Sequence, residues 1–94
     1  ATAQQYLSSG SYSWNSGMFL FSASVYLAEL ERFRPAMVRG AKAAHGGATR
    51  SGRIVSLDPD TFAACEADSI DYAVMEQTDH AAVLPIDPDW SDVG

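Results

Sequence analysis

One cysteine, two histidines and six basic residues among 94 leave little room for several kinds of chemistry. Cys65 has no partner for an intrachain disulfide, which fits a reducing, cytoplasmic setting. In Phe62-Ala63-Ala64-Cys65 it reads as a small buried thiol, not a nucleophile. His45 and His80 fall in polar connecting stretches with no Cys or His at a metal-ligand spacing, so both read as surface residues. No apolar run approaches the ~20 residues that cross a bilayer. All six basic residues (Arg32, Arg34, Arg39, Lys42, Arg50, Arg53) lie between positions 32 and 53, while ten of the twelve acids lie from Asp58 onward. That acidic half repels a phosphate backbone, and the basic stretch has no interleaved aromatics, so nucleic acid is not an expected partner. Gly46, Gly47 and Arg50 follow no clear strand and lack the spacing of a phosphate loop. No leader-like segment is visible, and Ala1 in place of an initiating Met makes that absence uninformative.

What is present reads as part of one small domain. The composition, 47% hydrophobic and 19% charged with a net charge of -6, is that of a globular chain. A domain of this length buries only about 60 to 65% of its unfolded surface, so a self-sufficient core is marginal. Residues 12–21, YSWNSGMFLF, set a polar turn against a run built for burial. Met18-Phe19-Leu20-Phe21 predicts a strand covered on both faces, as in a mixed sheet flanked by helices. Loops at the ends of such strands bind ligands. Asn15 both donates and accepts, and Gly17 allows close approach, so this turn suits sugar hydroxyls. It equally suits a plain Asn-Ser-Gly turn, which composition alone favours.

The remaining pattern is mostly helical. Residues 2–9 predict a short helix ending at Gly10. Ser24 is expected to cap the next, whose Tyr26, Leu30, Phe33 and Met37 form one stripe facing a sheet. At Pro35 that helix either ends or gives way to a new one. The glycine-rich stretch 40–52 is expected to be a mobile loop. Residues 54–57 predict a short strand or an apolar anchor. Asp58-Pro59 caps a helix running to about Glu66. Asp68 or Ser69 starts another, with Ile70, Ala73, Val74 and Gln77 on one face. Residues 82–86 predict an edge strand, since Pro85 cannot donate to a ladder.

Three places carry candidate chemistry: residues 14–17, 68–76 and 90–94. Asp71 in a first helical turn interacts well with the macrodipole, which explains it structurally; Ser69 and Asp71 bind a ligand only if that helix start faces one. Asp92 follows Trp90 and Ser91 at the end of an expected strand. Mg²⁺ often takes only one or two protein carboxylates, so Asp92 suffices as half of a site, although Asp87 and Asp89 show how common solvated acids are nearby.

Taken together, YSWNSGMFLF, SIDYAVMEQT and WSDVG, in this order and spacing, resemble the middle of bacterial mannose-1-phosphate guanylyltransferases across nearly the whole chain. The resemblance implies an α/β fold, part of a Rossmann-like nucleotidyltransferase mixed sheet flanked by helices. It implies an enzyme that joins mannose 1-phosphate to GTP with release of pyrophosphate, using Mg²⁺ and no nucleophilic side chain, in the service of polysaccharide biosynthesis. Asn15 and Gly17 then contact the sugar, Ser69 and Asp71 are further substrate-binding candidates, and Asp92 is the magnesium ligand. The family's glycine-rich loop, guanine-reading residues, second metal aspartate and Glu-Lys-Pro lysine have no counterpart here. The chain is therefore expected to be the sugar-binding part of a larger enzyme, inactive alone, with the remainder of the parent chain as a partner and a homo-oligomer open. Two rivals stand beside this reading: a nucleotidyltransferase for another sugar 1-phosphate, and a non-catalytic sugar-binding module of the same fold.

Overall fold

The computed structural model describes residues 2–91 and residue 93. It divides into two units, one formed by Ala1–Leu20 with Ala82–Gly94, the other by Phe21–Ala81.

In the first unit, helix α1 (Thr2–Ser8) ends as expected: Gly10 takes φ +75 and its N–H bonds to the Leu7 carbonyl at 3.2 Å. The Tyr6 and Tyr12 rings follow at 4.5 Å between centroids. The strands expected at 18–21 and 82–86 do not form; neither stretch takes part in a ladder. A strand is completed by the neighbour that accepts its hydrogen bonds, and local apolar content cannot supply one. Leu20, Val83 and Leu84 accordingly stand 82 to 100% exposed.

The second unit holds the core. Helix α2 (Ala23–Phe33) is capped by Ser22, not Ser24: Ser22 is extended at ψ 145 and accepts the Val25 N–H, whereas Ser24 already lies in the first turn. Arg34 (φ -137, ψ 64) breaks the helix before Pro35, which opens α3 (Pro35–Gly46) at its first position. Both expected outcomes at this proline occur at once. Non-helical backbone at Arg34 relieves its clash with the proline ring, and the ring's missing N–H costs nothing at a helix start.

Residues 40–52 are not a loop. Helix α3 runs through Gly40, and residues 49–56 form a hairpin of β1 (Thr49–Ser51) and β2 (Ile54–Ser56). The alanines of this segment favour helix, and Gly40 is there for space. A Cβ at that position would lie 2.9 Å from Cys65 Sγ. The thiol is half-buried there, 3.6 Å from the Met37 carbonyl. Helix α4 (Pro59–Ala63) starts as its sequence predicts, with Asp58 Oδ2 accepting the Thr61 N–H at 3.0 Å, but stops short of Glu66.

Last comes a single π-helical turn, Asp71–Met75, in which Glu76 N–H reaches the Asp71 carbonyl at 2.8 Å. Leu30, Val38, Ala73 and Val74 form the core, flanked by Tyr26, Met37, Ile70 and Met75. The α2 stripe thus packs on α3 and the π turn, where a sheet was expected. Burying Leu30 and Val38 contributes roughly 1.5–3 kcal/mol each.

Candidate functional site

The WNSG turn is built by local hydrogen bonds. Asn15 Oδ1 accepts the Gly17 N–H at 2.9 Å and Ser16 Oγ accepts the Met18 N–H at 3.3 Å. Two consecutive side-chain-to-backbone bonds of this kind fold a chain without any ladder. Gly17 sits at φ +70, and a Cβ there would meet nothing within 4 Å. Backbone conformation, not close approach, is what demands glycine.

In the extended chain on either side of this turn, alternate residues share a face. Trp14, Ser16 and Met18 line one wall of an open cleft of about 320 Å³, and Ile86, Asp87, Pro88 and Trp90 line the other. Two stretches some seventy positions apart therefore meet within the first unit. Trp14 and Ser16 line the cleft, while Asn15 and Gly17 make the turn between and beside them and are not among its lining residues. Indole faces with one hydroxyl and one carboxylate can stack on a sugar ring and bond its hydroxyls. Asp87, which spacing does not separate from an ordinary loop acid, is the acidic member. Asp92 lies outside the described residues.

Ser69 and Asp71 belong to the second unit, at the start of the π turn. The Ser69 hydroxyl accepts the Tyr72 N–H at 3.3 Å, and Asp68 Oδ1 accepts the Ser69 N–H at 2.8 Å. Of the two residues named as alternative caps, Ser69 therefore bonds an N–H of the turn, while Asp68 bonds only the N–H of Ser69 ahead of it. Asp71 is half-buried in the first turn.

A polar cluster that sequence reasoning missed lies at the other end of that turn. Thr78 Oγ1 donates to Glu29 Oε2 at 2.8 Å, and His80 Nδ1 lies 3.2 Å from Glu29 Oε1. Arg32 approaches Asp79 at 3.5 Å. The Thr78 hydroxyl, then His80 and Arg32, hold the Glu29 carboxyl below its ordinary range against the opposing effect of partial burial. Asp79 is lowered by its own backbone N–H, then by His80 and Arg32. Partners 49 and 51 positions apart leave no local signal; only the Glu29–Arg32 spacing of three was visible. His80 is exposed as expected, yet engaged.

Among the described residues no helix is long and apolar enough to cross a membrane. No solved structure matches the chain. A family model described as Nucleotidyl transferase matches residues 1–94. The chain is 55% identical over 94 residues, all of its length, to the xanthan biosynthesis protein XanB of Xanthomonas campestris pv. campestris strain B100, covering 20% of that protein. It is 50% identical over 93 residues to the mannose-1-phosphate guanylyltransferase ManC of Salmonella typhimurium, covering 99% of the chain and 19% of the relative. With a mannose-1-phosphate guanylyltransferase of Klebsiella pneumoniae it shares 49% identity over 92 residues, 98% of the chain and 20% of the relative. The chain thus spans about a fifth of the length of the curated relatives it matches. A family match over every residue, together with relatives about half identical to it, shows that this chain belongs to the nucleotidyl transferase family, of α/β fold class.

Proposed function

We propose that this chain is the sugar-binding part of an enzyme that transfers GMP from GTP to mannose 1-phosphate, giving GDP-mannose and pyrophosphate. The observation that carries the reading is the cleft lined by Trp14, Ser16 and Met18 with Asp87 and Trp90, since it brings together parts of two of the motifs that resemble such enzymes. The names of the Salmonella and Klebsiella relatives supply the substrate. Asn15 and Gly17 shape the sugar-facing turn in the first unit, and the resemblance to such enzymes adds Ser69 and Asp71 as substrate-binding residues. The name of the Xanthomonas relative supports use of the product, an activated mannosyl donor, in polysaccharide assembly. A lone cysteine without a disulfide partner supports a cytoplasmic setting.

The reaction brings two anions together, so its barrier falls mainly through positioning and charge neutralisation. The residues at the acidic end fit Mg²⁺: Asp87, Asp89 and Asp92 offer carboxylate oxygen without sulfur or imidazole, the donor type this hard cation takes. Among the described residues no three such groups gather into an all-protein cage, and Mg²⁺ needs only one or two carboxylates beside water and phosphate oxygens. Asp92 would hold the ion, which when bound neutralises phosphate charge. The chain's own residues bind and orient: Trp14 and Trp90 offer apolar faces, and Ser16 offers a hydroxyl.

The test is direct. The full-length protein that contains this segment is incubated with Mg²⁺, each of the four nucleoside triphosphates, and mannose 1-phosphate or glucose 1-phosphate. GDP-mannose from the GTP and mannose 1-phosphate pair is the expected product; preference for another pair would reassign the substrate, and no product from any pair would defeat the enzymatic reading in favour of a binding module.

A further inference from the structure

The cleft of the first unit sets two polar groups in apolar walls. Trp14, Met18, Ile86 and Trp90 line it, and all four are exposed. Ser16 Oγ accepts the Met18 N–H, and among the described residues its own proton has no acceptor. The Asp87 carboxylate makes no hydrogen bond or ion pair among the described residues. A free hydroxyl donor and a free charged acceptor beside exposed indoles are the complement of a polyol ring: its hydroxyls donate to the carboxylate while its C–H faces lie on the indoles.

Charge decides which end of the substrate enters. All six Lys and Arg side chains and both histidines fall between positions 32 and 80, within the second unit, so the first unit has no cationic side chain. Its charged side chains are Asp87, Asp89 and Asp92. A phosphate inside the cleft would lie against the Asp87 carboxylate with no counter-charge from the walls, and that repulsion grows as water is excluded. An uncharged ring meets none.

We propose that Asp87 is a specificity-determining residue for the sugar: it accepts hydrogen bonds from ring hydroxyls of the sugar 1-phosphate and, by its charge, turns the phosphate out of the cleft. The proposal rests on the reading of the cleft as a sugar site made above. It gives Asp87 a substrate contact distinct from the metal role of Asp92.

The experiment uses the full-length protein with saturating GTP and Mg²⁺, and compares mannose 1-phosphate with its monodeoxy analogues lacking the hydroxyl at C2, C3, C4 or C6. In the wild type at least one analogue is expected to lose kcat/KM on the order of tenfold to a hundredfold, the worth of a hydrogen bond to a charged group. Asp87→Ala should lower kcat/KM for mannose 1-phosphate by about the same factor and leave that analogue at its wild-type value, since the bond is already gone; the KM for GTP stays unchanged. Wild-type kcat/KM for mannose 1-phosphate in Asp87→Ala overturns the proposal. So does an equal loss for every sugar, whether it comes from a disturbed fold, read as a lowered melting temperature, or from a metal role, read as a raised Mg²⁺ requirement. Should Asp87→Ala not fold, Asp87→Asn, of the same shape, is judged by the same criterion. The wild-type arm separates the two levels: no product from any sugar defeats the proposed function and this inference together, whereas an active wild type without coupling between Asp87 and any hydroxyl defeats the inference alone.

Discussion

At the scale of single residues, glycine is required at two positions for different reasons. Gly17 needs its φ of +70, with open space where a side chain would stand. Gly17→Ala is therefore expected to lower stability by about 1 kcal/mol through backbone strain alone, and Gly17→Asn by less, because Asn tolerates the left-handed region. Urea midpoints in the full-length protein check this, and an Ala variant as stable as wild type would show that the turn relaxes. Gly40 needs room, with Cys65 Sγ 2.9 Å from the position of a Cβ. Gly40→Ala should cost roughly 1–3 kcal/mol by overpacking despite its gain in helix propensity. In a Cys65→Ala background the penalty should shrink, and a purely additive double mutant would refute the steric account. For chemistry, the proposed role of Asp92 as a magnesium ligand predicts that Asp92→Asn in the full-length protein reduces kcat on the order of a hundredfold with the fold retained; near-normal turnover would overturn that role.

At the scale of elements, the caps and clasps carry a pH dependence. Glu29 is held low chiefly by the Thr78 hydroxyl, and Asp58 by the Thr61 N–H and hydroxyl. A carboxyl whose value is lower in the folded than in the unfolded chain stabilises the fold in full above its unfolded value, and that contribution fades as the pH falls through the folded value. The acid-sensitive window thus begins below 4.5 for Glu29 and below 3.8 for Asp58. Urea midpoints followed downward from pH 6 should drop less steeply in Glu29→Gln than in wild type; identical slopes would mean that Glu29 titrates alike in both states. The elements that were legible in the sequence are those with local causes. Helix α1 stops at its glycine, α4 starts at Asp58-Pro59, and α2 hands over to α3 at Pro35 because caps and prolines act within a few residues. Helix α3 is not legible in the sequence because its glycines resemble loop signals, whereas Gly40 answers to a neighbour 25 positions away.

At the scale of the whole molecule, apolar exposure is the dominant fact. In the first unit no described residue is buried, and Met18, Leu20, Val83, Leu84 and Ile86 are all more than half exposed. Exposed apolar area of this extent favours covering by further protein surface, which accords with a chain spanning a fifth of its relatives. The isolated 94-residue chain is expected to bind an apolar dye more strongly than the full-length protein and to make no GDP-mannose. Turnover by the isolated chain would overturn the proposal that it is one part of an active site.

The sequence by itself determined the glycine stop of α1, the helix starts at Pro35 and at Asp58-Pro59, the apolar stripe of α2, the family and its α/β class, because caps, prolines, periodicity and motif order are written in neighbouring residues. It placed candidate chemistry on Asn15, Gly17, Ser69 and Asp71. Tertiary structure alone decided that Trp14, Ser16 and Met18 face Asp87 across a cleft, that Glu29 bonds Thr78 and Arg34 pairs with Asp68 on either side of the π turn, and that residues 18–21 and 82–86 remain unpaired. Each of these depends on a partner distant in the chain, and hydrogen bonds and packing between distant residues leave no trace in local spacing.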